Sequence, residues 1–325
     1  MKKGAQTGSP AASPSVVVVV LSWNRRDHIL ACLASLRKQD YPSFDVVVVD
    51  NGSVDGSPAL IRRRFPEVTL VENGRNLGFA GGSNVGIALA LARGAEYVLL
   101  LNDDTEVPPD LLRLLVEVGE GDPGIGILGP KIYYGDSRVI WSAGGLVDGR
   151  GWAQHLRVGE SDDGLPESVR EVDYVTGCAM LVKRKVIETV GALDERFFAY
   201  FEETEWCARA RKAGFRVVYV PQACMWHKVA PMQHPCSPDY LYLMARNRLL
   251  YLKCSGARPW VTLLAAAEVL RTAASWALRP RYSDRRACSP ALVAGVLDFT
   301  LGRFGAPPAR PRPDSGPNGA SGRRR

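Results

Sequence analysis

The stretch Tyr97-Val98-Leu99-Leu100-Leu101-Asn102-Asp103-Asp104 decides the fold class. A short apolar run ends abruptly in two adjacent carboxylates. The run is too short to cross a membrane and has the length of a buried parallel strand. Burying unpaired charge is costly, so two acids at the end of such a strand need partners. In open α/β sheets, ligands collect at the carboxyl ends of the strands. A hard divalent cation bridging to phosphates would neutralise both acids. The run therefore points to an α/β sheet with a metal–nucleotide site. The competing reading is a pair of surface carboxylates capping the helix that Pro108 opens.

Outward from this run, β and α patterns alternate. Residues 16–21, 45–49 and 68–71 read as buried strands, the first rich in valine. Residues 27–38 place Ile29, Leu30, Leu33 and Leu36 at helical spacing. Residues 57–65 predict a short helix with a basic face, 82–93 a helix of small residues, and 108–118 a further helix. This order predicts a parallel, doubly wound sheet with right-handed crossovers. Beyond Gly121, short β-like pieces near 125–132, 138–147, 152–158 and 171–183 predict an antiparallel or mixed section. A helix over 203–213 stops at Gly214, a C-cap. A strand over 215–220, a helix over 239–253, an apolar helix over 259–278 and a last helix over 290–304 complete the pattern. Residues 1–14 and 305–325 have the composition of a disordered leader and a basic disordered tail.

The 325 residues are 46% hydrophobic and 23% charged, enough for a core that needs no disulfide staples. The net charge is +7, and six arginines against one acid lie from Arg303 onward. A basic balance suits nucleotides, anionic lipid surfaces or nucleic acid, and does not choose among them. Seven cysteines, an odd number without C-x-x-C spacing, read as free thiols of a reducing compartment, with no zinc site. Residues 16–21 are too short for a signal sequence, and no uninterrupted apolar run reaches about 18 residues. The expected location is cytosolic, at most touching the inner membrane face.

Four further stretches carry polar chemistry at strand ends. The first strand leads into Ser22-Trp23-Asn24-Arg25, which can reach a base or ribose; a loop entering a helix cap explains it equally well. The second leads into Asp50-Asn51-Gly52-Ser53-Val54-Asp55-Gly56-Ser57. Asp50 reads as a ligand contact, Asp55 and Ser57 as an Asx turn capping the next helix. In the third, residues 76–86, glycines allow close backbone approach and the helix start could face an anion; a mobile loop is the alternative. The fourth runs from Gly191 to His227. Glu202, Glu203 and Glu205 gather at a helix start, favoured by the helix dipole but mutually repulsive without a task. A carboxylate there can deprotonate an alcohol, and His227 after a strand can complete a metal shell. His28, His155 and His234 read as structural or surface residues.

Taken together, VVVVVLSWNR, VVVVDNGSVDGS, NLGFAGGSNVGI, YVLLLNDDTEV, VTGCAMLVKR, GALDERFFAYFEETEWCARARKAG and YVPQACMWH resemble family 2 glycosyltransferases. The similarity spans residues 16–227 and is nearest to the rhamnosyltransferase-like bacterial branch that builds cell-envelope polysaccharide. It implies an inverting enzyme with a GT-A fold, a Rossmann-like, mixed but mainly parallel sheet flanked by helices, over residues 15–255. A C-terminal helical extension over 256–304 follows. It also implies a nucleotide-diphosphate sugar donor, a divalent cation (Mg or Mn) and a glycan or lipid-linked acceptor, with no nucleic acid partner. By the same resemblance Ser22, Asn24, Arg25, Asp50, Asn76, Gly81, Asn84 and Asp103 line the nucleotide. Asp104 and His227 hold the cation. Thr176, Gly177 and Cys178 stand on the acceptor side, and Arg246-Asn247 near the diphosphate. The base lies in Glu202-Glu203, where the family has Glu-Asp; the metal triplet is Asn-Asp-Asp rather than Asp-x-Asp.

The sugar expected is a deoxyhexose such as rhamnose, with galactofuranose, glucose or N-acetylglucosamine as alternatives. A sugar-nucleotide nucleotidyltransferase is disfavoured, because residues 21–27 lack its glycine-rich triphosphate loop. A non-catalytic scaffold of an envelope complex with a decayed site is the rival from another class. Residues 78–82 and 141–165 are expected to cover the site. Around the apolar helix, Arg258, Arg271 and Arg279 with Trp260 and Trp276 fit an interfacial membrane helix, a helix packed on the domain, or a homo-oligomer contact.

Overall fold

A computed structural model describes residues 13–164, 166–228 and 237–308. His234, Cys236 and nearly all of the expected leader and tail lie outside these residues. The strands are β1 Val16–Ser22, β2 Phe44–Asp50, β3 Thr69–Glu72, β4 Tyr97–Asn102, β5 Thr105–Glu106, β6 Ile125–Tyr134, β7 Ile140–Ser142, β8 Gly145–Val147, β9 Ala153–His155, β10 Arg170–Glu171, β11 Ala179–Lys183 and β12 Arg216–His227. The helices are α1 Arg26–Leu36, α2 Ser57–Arg64, α3 Gly78–Ala92, α4 Leu111–Gly121, α5 Arg184–Val190, α6 Glu202–Lys212, α7 Pro238–Cys254, α8 Pro259–Leu278 and α9 Ser289–Thr300.

The main sheet runs β10-β12-β6-β11-β4-β1-β2-β3, with β5 pairing β12 and β7 pairing β6. Strands β4, β1, β2 and β3 are parallel, while β11 runs antiparallel to both β4 and β6. This is the mixed, mainly parallel sheet that the alternation predicts. The valine run of β1 is buried on both faces, as parallel strands are. Val16, Val18 and Val20 join one core layer with Ile29, Leu33, Ile61 and Leu112 of α1, α2 and α4. Val17 and Val19 join the other with Ile87, Val186 and Trp206 of α3, α5 and α6.

Two boundaries differ from expectation. Helix α3 starts at Gly78, so residues 78–82 are a helical turn and not a covering loop. Its glycines lie against the sheet. A Cβ on Gly86 would stand 2.2 Å from Val19, and one on Gly82 would stand 2.4 Å from Leu21. Strand β12 passes through Pro221 to His227, with a register shift between Val220 and Cys224 that absorbs the proline. The 141–165 segment is anchored: β8 pairs with β9, and buried Asp162 bonds Lys131 at 3.1 Å and also Tyr133.

At the carboxyl-terminal end, α7, α8 and α9 share a core cluster that also takes in Phe197 and Phe201. Gly295 lets α9 touch α7, since a Cβ there would meet the Tyr242 carbonyl oxygen at 2.6 Å. Cys32, Cys178, Cys207, Cys224 and Cys254 are free thiols.

Candidate active site

Strand register assembles the site. Ser22 stands opposite Asp50, and Leu21 opposite Asn102, so three strands end level with one another. Buried Asp50 accepts hydrogen bonds at Oδ2 from the Gly52 and Ser53 amides, at 3.0 and 2.9 Å. Its Oδ1 is enclosed without a partner. One oxygen therefore holds the turn, and the other is left to accept from a ligand N–H or O–H.

The loop after β1 is latched to the loop after β2. The Asn24 amide donates to Ser53 Oγ at 2.9 Å, and the Val54 amide donates to Asn24 Oδ1 at 2.8 Å. Asn24 adopts φ 52°, a region asparagine tolerates. Asp55 accepts from the Ser57 amide and from Ser57 Oγ, as the capping reading requires.

At the end of β4, Asp103 and Asp104 are both buried. Burial and the neighbouring Asp104 charge push Asp103 up to about 6. Burial also opposes ionisation of Asp104, yet His227 and Arg25 hold it down to about 2. The Arg25 guanidinium bonds Asp104 Oδ2, and His227 Nε2 lies 3.1 Å from Asp104 Oδ1. Pairing of β5 with β12, Thr105 opposite His227, brings the histidine there. Its Nδ1 and Asp103 Oδ2 are enclosed without partners. Trp141 packs edge-on against the His227 ring, centroids 4.6 Å apart.

These residues fit a hard cation. Adjacent ligands of a six-coordinate ion with bonds of about 2.1 Å lie about 3 Å apart, which is the Asp104–His227 separation. Among the described residues no group of three or more His, Cys, Asp or Glu converges on one point. The chain alone thus offers a partial shell, as magnesium-type sites do when substrate phosphates complete it. Arg25 now supplies the positive charge that Asp104 requires.

The acid pair opens α6. Glu202 is buried, and Glu203 is partly exposed, but the Oε2 of each is enclosed without a partner. Burial and the Glu203 charge raise Glu202 well above the usual carboxylate range. Burial also raises Glu203, against the amides of Thr204 and Gly177 that face it. Gly177 has no room for a side chain, because a Cβ would stand 2.8 Å from Phe79. The Thr176–Cys178 turn is tied to β4 by the Asn102 amide, which donates to the Cys178 carbonyl at 3.0 Å.

Phe198, Tyr200 and Phe201, just before the acids, adopt φ of 66°, 70° and 74°. Such conformations cost roughly 1–3 kcal/mol each and need support. Fully buried Asn247 supplies it, donating from Nδ2 to the carbonyls of Phe197, Ala199 and Tyr200, each at 2.8 Å. Arg246 donates to the Phe197 carbonyl at 3.0 Å and to Gly305 at 2.7 Å.

Three sequence expectations change. Arg246 and Asn247 do not face a diphosphate; their donors are spent on the loop before the acid pair. Asn84 is bound to the Leu193 backbone in both directions, at 2.9 and 3.0 Å, and so positions α3 instead of offering a free amide. Asn76 Oδ1 accepts from the Gly78 amide at 2.8 Å, and Gly81 packs against Leu77, which gives both a place in the turn that starts α3. Trp141, the first residue of the segment expected to cover the site, was not singled out by itself; its packing on His227 has no local sequence signal. Two clefts of about 330 and 370 Å³, lined by Asp173 and Arg211, contain none of these residues.

Residues 17–191 match the glycosyl transferase family 2 model. An N-acetylglucosaminyl-diphospho-decaprenol L-rhamnosyltransferase of Mycobacterium tuberculosis is 32% identical over 232 residues, covering 66% of this chain and 76% of the relative. A dTDP-rhamnosyl transferase of Shigella flexneri is 26% identical, covering 74% and 80%. The solved mannosyltransferase of Pyrobaculum calidifontis, in complex with GDP-Man and Mn2+, covers 93% of this chain and 92% of its own at a TM-score of 0.55 and 21% identity.

Proposed function

The chain belongs to glycosyl transferase family 2 and is a glycosyltransferase, and we propose that it moves a deoxyhexose such as rhamnose from a nucleotide diphosphate to a lipid-linked glycan hydroxyl, with inversion. The observation that carries this reading is the set of enclosed, unpartnered atoms at strand ends and at the start of α6: Ser22 Oγ, Asp50 Oδ1, Asp103 Oδ2, His227 Nδ1, and Oε2 of Glu202 and Glu203. Buried polar groups are ordinarily hydrogen-bonded, so their clustering without partners suits a bound ligand. The rhamnosyltransferase relatives support the sugar and the lipid-linked acceptor.

Asp50 Oδ1 accepts from the donor's base or ribose. Asp104 and His227 hold a divalent cation, Mg or Mn, and Arg25 turns from Asp104 to the diphosphate. The Mn2+ in the mannosyltransferase structure supports a cation in this fold. Bound there, the cation supplies Lewis-acid stabilisation of the departing diphosphate. Glu203 takes the proton of the acceptor hydroxyl as that oxygen attacks the anomeric carbon, and Glu202 keeps its own proton. A single displacement from the face opposite the leaving group inverts the centre.

Thermal unfolding with a panel of nucleoside diphosphates and their sugars tests this reading. At ligand about 100-fold above Kd the gain is about 2.7 kcal/mol, roughly 4 °C for a chain of this size. The gain should require Mg or Mn together with nucleotide. No shift across the panel would remove the donor site from the account.

A further inference from the structure

Helix α8 is apolar on two sides but packed on one. Ala265, Val269 and Ala273 are buried in the cluster shared with α7 and α9. The opposite stripe is open: Trp260 is 55% exposed, Leu263 70%, Leu264 60%, Leu270 41% and Leu278 79%. At 100° per residue these positions fall on one side of the helix, away from the buried stripe. Leu297 of α9, 54% exposed, adds to the open apolar surface. A helix that is hydrophobic all round belongs in a core or in lipid.

The charge around the stripe selects its occupant. Residues 258–288 hold six arginines and two acids. Arg258 precedes the first turn, Arg271 stands among the exposed leucines, and Arg279, Arg281, Arg285 and Arg286 follow the last turn, all exposed. Of the acids, Glu268 is paired with Arg248 at 2.8 Å and Asp284 lies 3.7 Å from Arg285. A second copy would set this basic rim against itself. An anionic bilayer offers complementary charge to the arginines and an apolar layer to the leucines.

We propose that the open face of α8, with Leu297 of α9, lies in the interface of an anionic phospholipid bilayer, with the helix parallel to the membrane plane. Twenty residues at mean hydropathy 1.3 would also suffice to cross a membrane. Crossing would strip Ala265, Val269 and Ala273 from their core and leave Arg248, 1% exposed, without Glu268. Breaking a buried pair in that way is strongly unfavourable. Lying flat keeps both. The inference does not depend on which sugar is transferred.

The test is co-sedimentation of the full chain with vesicles of phosphatidylcholine alone and of phosphatidylcholine with phosphatidylglycerol, at low and high salt. Binding should require phosphatidylglycerol, and part of it should persist at high salt, where arginine contacts alone are screened. The Leu263→Glu, Leu264→Glu double variant should lose that salt-resistant part by about tenfold or more, because it removes the two most open leucines of the first turns from the apolar layer. Its thermal midpoint should be unchanged, since both positions are exposed. Brominated lipid should quench Trp260, and Trp260→Phe should remove the quenched signal. Failure to bind phosphatidylglycerol vesicles would overturn the proposal. So would equal salt-resistant binding by the double variant, or a dimer in light scattering that the double variant abolishes.

Discussion

At the scale of single residues, the site separates two kinds of carboxylate. Asp104 is held ionised by Arg25 and His227, whereas burial lifts both Glu202 and Glu203. A base must be ionised to work, so kcat/KM should fall as pH drops through the raised Glu203 value, above the ordinary glutamate range. A pH–rate profile that stays flat down to ordinary glutamate values would contradict the shift. The stability effect has the opposite sign. A carboxyl raised in the folded state costs stability as pH climbs from its unfolded value through its folded one. Glu202→Gln should therefore raise the thermal midpoint at neutral pH and preserve most turnover. Asp104→Ala should abolish cation-dependent donor binding in calorimetry, and unchanged affinity would refute its place in the shell. Asp50, Asp103 and Asp104 stood out because each ends or follows an apolar strand, and Glu202 and Glu203 because they cluster at a helix start. That Asn76 and Asn84 also serve the backbone at α3 and Leu193 was not legible, because a sequence shows an amide but not what it bonds.

At the scale of elements, the loop before α6 is the most strained segment near the site. Asn247 holds the carbonyls of Phe197, Ala199 and Tyr200, the first of which it shares with Arg246. Asn247→Ala should cost at least about 2 kcal/mol and lower kcat more than it raises donor KM. Asn247→Asp, which keeps the shape but loses the donors, should behave alike; wild-type kinetics in either variant would sink the clamp. The α7–α9 crossing makes a separate prediction. Gly295→Ala places a methyl against the Tyr242 carbonyl, which cannot move without moving α7. A loss of roughly 1–3 kcal/mol in denaturant unfolding is expected. Strands β1, β2 and β4 were readable from their valine and leucine runs. The second half of β12 was not, because Pro221 reads as a stop until a bulge absorbs it. The start of α3 was hidden for a related reason: its glycines disfavour a helix locally, and packing on Val19 and Leu21 overrides that preference.

At the scale of the whole molecule, the strands hold Asp50, Asp104 and His227 in place, and α7 braces the loop before Glu202 and Glu203. Through Arg246 and Gly305 that bracing reaches past α9, so the helical extension is mechanically part of the site. The order of β and α patterns revealed the sheet, but these long-range ties join residues about 50 to 60 positions apart, and no local pattern encodes them. The central claim is that donor binding and proton removal reside in different groups. It is tested most directly by comparing wild type with Glu203→Gln in the presence of Mn or Mg and a nucleotide-diphosphate sugar that the chain binds. Calorimetric donor affinity and turnover to a polyprenyl-diphosphate-linked acceptor are measured side by side. The account predicts unchanged affinity with turnover reduced at least about 100-fold. Retained turnover in Glu203→Gln, or donor affinity lost together with turnover, would contradict it.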